Sequence, residues 1–413
     1  MTKHIHTTTY IGTSKTPDSV QAGQQAAQMA RDLLPPDESM AWALAFSGGR
    51  HDCKALLQGL RSQLEEAPIV GGATVGIITS DCLGYSGYEC SLAAFPASTP
   101  RPAILTVDTL GAGELATGRQ LGQELREMTD DGDTVLLFYD SIKSAPPPVL
   151  YIGSQLMDGI YQGLAGKQLT IIGAGTVGDH QLTKSYIFDG QQIKKHAVVA
   201  AVLPSPFRSH TTIMHGCIPV SAFLEITKIE GAVLYELNGR PALAVLMEML
   251  GHSQDELTGN SLSLSLTIGE KHGDPYAPYN ESAYVNRLII GSNPADGSVT
   301  LFEADFQEGT RVQLMSRDNQ LMVESARNRT RELLDSVGPQ KPLLALYIDC
   351  AGRASAFCGS DIEEASVVQA ELGPEIPLLG FYSGVEIAPL LGRSRPLDWT
   401  GVLTLITLEG VDG

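Results

Sequence analysis

Residues Leu169–His180 read LTIIGAGTVGDH, and the reading of this stretch decides the fold. An apolar strand runs into Gly173-Ala-Gly175-Thr-Val-Gly178, a full GxGxxG match. In a dinucleotide-binding fold a helix begins at once, so that its N-terminus receives the pyrophosphate. Here the next residues are DHQLTKSYIFDGQQ, which alternate like a strand and carry a DG turn. The stretch therefore reads as a tight structural turn between strands, its glycines supplying positive φ.

Two relatives of this stretch lie elsewhere in the chain: APIVGGATVGII (Ala67–Ile78) and IPLLGFYSGVEI (Ile376–Ile387). Aligned on Gly71, Gly173 and Gly380, each has another glycine a few residues later. Each is preceded by a helical stretch: Cys53–Glu66, with Leu56, Leu57, Leu60 and Leu64 on one face, Val149–Gly166, and Ser360–Gly373. Before each helix stands an apolar strand ending in small or polar residues: MAWALAFSGGRHD (Met40–Asp52), TVLLFYDSIKS (Thr134–Ser144) and PLLALYIDCAGR (Pro342–Arg353). A βαβ unit thus occurs three times, each with parallel strands and a right-handed crossover. Alternating segments after each turn, Tyr88–Ala97, Ser185–Leu203 and Trp399–Gly410, read as antiparallel strands completing mixed sheets. The fold class is α/β, with repeated βαβ units in mixed, partly antiparallel sheets.

With 413 residues the chain exceeds the roughly 250–300 at which single cores stop growing. The segment PSPFRSHTTIMHGCIPV (Pro204–Val220) has three prolines that interrupt any long element, and marks the boundary. Residues 1–205 form one domain, 206–222 an inter-domain segment and 223–413 a second domain. Within the second, LEITKIEGAVLYELNGRPA (Leu224–Ala242) carries strands around an NG turn, followed by a helix at Leu243–Leu250. Ser298–Asp318 reads as a further hairpin, and Asn319–Val337 as a long helix leading to the third unit. Pro146–Pro148 marks a stiff loop at a strand tip.

Apolar residues make up 43% and charged residues 18%, a globular composition. The net charge of −19, from 47 acidic and 28 basic residues, argues against a nucleic-acid groove or an anionic membrane surface. No stretch is apolar for long enough to span a bilayer, and the N-terminus lacks the apolar core of a secretion signal, so a cytoplasmic protein is expected. The six cysteines follow no disulfide framework, and neither CxxC nor CxxCH occurs.

In order along the chain, PIVGGATVGII, GYSGYE, IIGAGTVGD, HGCIPV, VLYELNGRPAL, YVNRLIIGSNPADGSVTLFEADFQEGTRVQLMSRD, LYIDCAGR and GFYSGVEIAPL resemble the FIST family, which pairs a FIST N-terminal domain with a FIST C domain. Val385 stands before Glu386 where the family commonly has a second glycine. The resemblance implies a sensory protein without an output enzyme. Some family members resemble haem proteins that sense nitric oxide and regulate histidine kinases; others are proposed to bind small ligands such as amino acids.

Candidate sites follow from strand ends, where ligands bind in parallel α/β sheets. Cys350, Gly352 and Arg353 end one strand of the third unit; Tyr382, Ser383, Gly384 and Glu386 end its neighbour. Arg353 could clamp a carboxylate with its planar fork, or pair with Glu386 across the sheet end. Asp52, Asp140 and Asp349 lie at or beyond strand ends, where acids cap helices or turns. The pairs His51/Cys53 and His215/Cys217 have zinc-ligand chemistry, with nothing in their spacing to join them. For haem, which needs a neutral imidazole, His215 is the first candidate for the proximal ligand; His51 and His180 follow, while His4 and His6 are dispensable.

Two functions remain open. One is a sensor that binds a small molecule, shifts the arrangement of its two domains and regulates a partner such as a histidine kinase. The other is a nucleotide-dependent or thiol enzyme using the Gly173–Gly178 turn or Cys350.

Overall fold

The computed structural model describes residues 8–64, 66–251 and 266–409, so His4 and His6 lie outside the described residues. The three βαβ units are present, each with its strand pair parallel. Their lead strands are Met40–Gly48, Thr134–Asp140 and Leu344–Cys350; their second strands are Ile69–Thr74, Thr170–Thr176 and Leu378–Ser383. The crossover helices are Cys53–Leu64, Gly153–Leu164 and Glu364–Leu372. Nearly every residue of these strands is buried, because both sheet faces are covered.

Each unit is larger than its βαβ core. An edge strand and a helix precede it: Tyr10–Ser14 with Ser19–Leu33, Ala103–Val107 with Glu114–Met128, and Phe207–Met214 with Asn319–Val337. A return strand follows, Cys90–Pro96, Val198–Leu203 or Gly401–Leu408, antiparallel to its own lead strand. Between second and return strands each unit extends a hairpin, and that hairpin leaves home. The unit-one hairpin pairs with unit three (Ile77↔Phe381), the unit-three hairpin with unit two (Glu386↔Ala174), and the unit-two hairpin with unit one (Phe188↔Gly71). The result is three six-stranded sheets locked in a closed cycle.

One face of each sheet carries its own helices; the opposite faces meet in a common core. One ring from each unit occupies its middle: Phe46 stacks on Phe381 at 3.8 Å, and Phe138 meets Phe46 edge-on at 5.3 Å.

The repeated glycine has a physical reason. Gly71, Gly173 and Gly380 stand opposite Ala45, Leu137 and Tyr347 in the parallel ladders. A Cβ at Gly173 would lie 1.7 Å from the Leu137 carbonyl oxygen, and one at Gly71 would lie 2.1 Å from that of Ala45. Positive φ was expected at these glycines, but in the second unit Gly173 and Gly175 are strand residues without it; Gly71 alone of the aligned three has it, at +135°. Close backbone approach decides the residue.

The segment Pro204–Val220, expected to interrupt elements, instead carries the strand Phe207–Met214, which pairs with Gly401–Leu408 along its whole length. Chain on both sides of it shares sheets, through the exchanged hairpins. Between Met214 and Asn319 an insertion forms a small barrel: Leu224–Glu230, Val233–Leu237, Ser298–Leu301, Tyr284–Asn293, Leu266–Lys271 and Arg311–Arg317 pair in that order and close on Leu224–Glu230. The NG turn is there, with Asn238 at φ 51° and Gly239 at φ 70°. Ser298–Asp318 is not a hairpin: Ser298–Leu301 pairs with Tyr284–Asn293, and Arg311–Arg317 pairs elsewhere. The link between them is held by side-chain hydrogen bonds instead. Arg287 Nε donates to Asp305 at 2.7 Å, and Glu303 accepts from the N–H groups of Gly153 (3.2 Å) and Ser154 (2.8 Å) at a helix start in unit two. Among the described residues no helix is long and apolar enough to cross a membrane.

Candidate functional site

The carboxyl ends of the three parallel strand pairs converge at one end of the common core. Backbone hydrogen bonds tie the ends together around it. Tyr382 N–H donates to Gly76 O (3.1 Å), Gly384 N–H to Gly175 O (3.0 Å), and Gly49 N–H to Gly178 O (3.0 Å), linking units three to one, three to two, and one to two. A Cβ on Gly49 would meet the Gly178 carbonyl oxygen at 2.4 Å, so only bare backbone can cross there.

Above this backbone floor opens a cleft of about 370 Å³, within the range of small-molecule sites. Gly49 and Arg50 come from the end of the first lead strand, Val75 from the first glycine turn, Tyr85–Gly87 from the unit-one hairpin, and Gly178–Lys184 from the second turn. Arg50 runs along Gly87, its guanidinium carbon 5.2 Å from the Tyr88 ring centre, with no acidic partner among the described residues. Lys184 Nζ spends one hydrogen on Gly49 O at 2.9 Å. The nearby Asp179 carboxylate is committed to the N–H (2.9 Å) and hydroxyl (2.7 Å) of Thr183. His180 is held neutral: burial pushes its imidazole down to about 4, against the opposing charge of Asp179. Its ring lies 3.3 Å, centre to centre, from Phe357 of unit three, and its buried Nε2 has no partner among the described residues. Phe357 also meets Tyr85 edge-on at 6.0 Å.

The third-unit residues read from the sequence lie beneath and beside this cleft. Arg353 is fully buried, and its fork is not free for a ligand: Nε donates to Glu364 Oε2 at 2.9 Å, Nη2 donates to the other oxygen, and Nη1 donates to the carbonyls of His215 (3.0 Å) and Trp399 (2.8 Å). Its partner is thus Glu364 rather than Glu386. Glu386 accepts from the Ser383 hydroxyl at 2.6 Å, and burial raises its carboxyl far above the ordinary range. Asp349, equally buried and raised, has Oδ1 3.2 Å from Arg353 Nε in an orientation that makes no hydrogen bond. The capping expected of Asp52 and Asp140 is present: Asp52 accepts from Ala55 N–H at 2.8 Å, and Asp140 from Ile142 N–H at 3.0 Å. Tyr382 donates to Glu363 at 2.7 Å and packs edge-on to Tyr85, a cleft residue, at 5.9 Å; Gly384 lies against Val177 and Ser141. Gly352 packs against Trp399. Cys350 is buried and its thiol is pushed upward, the reverse of what a thiolate nucleophile needs. The Gly173–Gly178 turn opens no helix, so it offers no N-terminus to a pyrophosphate.

His215 is 1% exposed, and both ring nitrogens are used. Nδ1 accepts from Cys217 N–H at 3.0 Å, which leaves Nε2 as the N–H donor to Glu281 O at 3.1 Å. Burial lowers its pKa, so the ring is neutral, but no lone pair is open to iron. A haem ligated by His215 does not fit this arrangement. His51 is similarly taken up, by Ser19 Oγ (3.2 Å) and Tyr88 O (3.0 Å). Among the described residues no group of three or more His, Cys, Asp or Glu is placed to hold a metal ion, so the His51/Cys53 and His215/Cys217 pairs do not combine. The site residues not picked out from the sequence are Arg50, Tyr85, Lys184 and Phe357. Arg50 was within sight, in the SGGRHD end of the first lead strand.

The sequence model of the FIST N domain matches residues 41–240, and that of the FIST C domain matches residues 242–389. An uncharacterized protein of Mycobacterium tuberculosis is 26% identical over 402 residues, covering 96% of this chain and 98% of its own. An uncharacterized protein of Mycobacterium bovis is 26% identical over 407 residues, covering 96% and 97%. A crystal structure of a cyanuric acid hydrolase from A. caulinodans aligns over 98% of this chain and 99% of its own, with a TM-score of 0.32 and 11% identity, too loose a likeness to carry an argument.

Proposed function

We propose, from the premise that this chain belongs to the FIST family, that it senses a small carboxylate-bearing molecule and regulates a signalling partner such as a histidine kinase. FIST domains are associated with sensory signal transduction. The observation that carries the reading is the cleft where the strand ends meet, with Arg50 and Lys184 on a backbone floor and a neutral His180 beside them. Two cations with no acid paired to them among the described residues, in a chain of net charge −19, form a local anion site. The exchanged hairpins oppose a rigid-body swing of one half against the other. The ligand would therefore act through the loops that line the cleft, which change state only by binding it with different affinity in two arrangements.

The test is a thermal-shift screen of organic acids and amino acids on the wild type and on Arg50→Ala. A shift in the wild type that is lost in Arg50→Ala supports the reading. Autophosphorylation of a partner kinase should then change only when both protein and ligand are present. A ligand that shifts both proteins equally would refute the cleft as the sensing site.

A further inference from the structure

We infer that the ligand of this cleft is a flat aromatic carboxylate rather than an aliphatic amino acid; the inference rests on the cleft being the sensing site. Rings from all three units line up beside the cleft. Tyr382 meets Tyr85, Tyr85 meets Phe357, and Phe357 lies tilted against His180, so the rings form a continuous series that includes the lining residues Tyr85 and His180. Phe357 is 43% exposed although it is large and apolar, which leaves ring surface uncovered beside His180 and Tyr85.

His180 contributes a third kind of contact. Its Nε2 is buried and without a partner among the described residues, and a buried polar atom left so carries a cost that a ligand atom would relieve. Because the ring is neutral, it presents either an N–H or a lone pair without adding a second buried charge. In the same cleft, Arg50 offers a planar fork that matches a carboxylate, and Lys184 has two ammonium hydrogens beyond the one given to Gly49 O. The Asp179 carboxylate is turned toward Thr183, accepting from its N–H and its hydroxyl. The lining therefore offers cations for an anion together with a π-face for a flat ring, which an aliphatic side chain would leave unused.

The experiment is isothermal titration of full-length protein with benzoate, 4-hydroxybenzoate and indole-3-carboxylate, against cyclohexanecarboxylate, benzamide, glycine and leucine. The same titrations are run on Arg50→Gln and Tyr85→Leu, with the unliganded melting curve as the check on folding. The expected result is binding by the aromatic acids, at least tenfold weaker for cyclohexanecarboxylate and for benzamide, and at least tenfold weaker in Arg50→Gln. Raising the salt should weaken it further. Tight binding of leucine or cyclohexanecarboxylate that is lost in Arg50→Gln would overturn the ligand class while keeping the cleft. Aromatic-acid binding untouched by Arg50→Gln would overturn the cleft as well. No binding by any aromatic acid overturns the inference.

Discussion

Arg353 and Glu364 face each other fully buried, with Nε 2.9 Å from Oε2, and the guanidinium plane lies along the carboxylate in a two-point contact. The same Arg353 spans chain segments far apart, through the carbonyls of His215 and Trp399.

Removing the cation should therefore be costly. Arg353→Met strands Glu364 and Asp349 in the core, and breaking a buried pair on one side typically costs about 3–5 kcal/mol. Arg353→Lys should lose a large part of this too, since an ammonium cannot reach both oxygens and both carbonyls. The double variant Arg353→Met/Glu364→Gln should recover much of the loss. Urea denaturation at one pH of the wild type, Arg353→Met, Glu364→Gln and the double variant measures this, and strict additivity of the two single losses would refute the coupling.

Gly173→Ala should destabilise more than Gly175→Ala. The new Cβ at Gly173 meets backbone, the Leu137 carbonyl at 1.7 Å, so a whole strand must move. At Gly175 it meets side-chain atoms, Ser141 Oγ at 2.2 Å and the Tyr139 ring at 2.8 Å, which can turn aside in part. Overpacking of this kind costs roughly 1–3 kcal/mol, with Gly173 at or beyond the upper end. The denaturation midpoints of the two variants decide the order.

These glycines also show what the sequence made legible. Three apolar stretches ending in glycine turns gave the repeat, the parallel pairs and the mixed sheets, because a strand buried on both faces writes itself as an apolar run. The exchange of hairpins was not legible: Ile77–Thr79 carries no mark of whether its partner is Ile69–Thr74 or Leu378–Ser383, since backbone pairing is indifferent to sequence distance. The site suffered for the same reason. Arg353 reads as a ligand clamp at a strand end until the fold brings Glu364 against it. Phe357 gains meaning only beside His180, which belongs to another unit.

His180 should give the protein an acid-sensitive component. Its folded-state pKa of about 4 lies below the ordinary histidine value of 6.5, so the unfolded chain binds the proton more tightly. Stability from this group is present above about 6.5 and is lost as pH falls toward 4. In His180→Gln the fall in stability between pH 6.5 and 4 should be shallower than in the wild type. Thermal melts across that window measure it, and parallel slopes would contradict the assignment.

Glu303 should act with the opposite sign. Burial first, and the charge of Asp398 second, raise its carboxyl to about 8 against the pull of Arg287. The folded state then holds the proton more tightly than the unfolded one. The associated stability is complete below about 4.5, the carboxyl's ordinary value, and drains away as pH rises through 8. The loss should be on the order of a few kcal/mol for a shift of this size. Glu303→Gln should flatten the alkaline limb of the stability curve, read by denaturation at pH values from 6 to about 9.5.

The exchanged hairpins make a final, architectural prediction: residues 1–205 expressed alone should not form a stable fold. In that fragment the unit-one hairpin, Ile77–Thr79 with Leu83–Gly84, has lost the Leu378–Ser383 strand it pairs with. The second strand of unit two, Thr170–Thr176, has lost Val385–Leu390, which covers its outer edge. An exposed, apolar edge of this length invites pairing with other chains. Phe46 and Phe138 also lose Phe381 from the common core, uncovering aromatic surface that water must then meet. The fragment should therefore aggregate or give a broad, non-cooperative melt, while co-expression with residues 206–413 restores a soluble one-to-one complex. Size-exclusion chromatography and calorimetry read both outcomes. A monomeric fragment with a sharp cooperative transition would show that the closed cycle of sheets is not what holds the halves together.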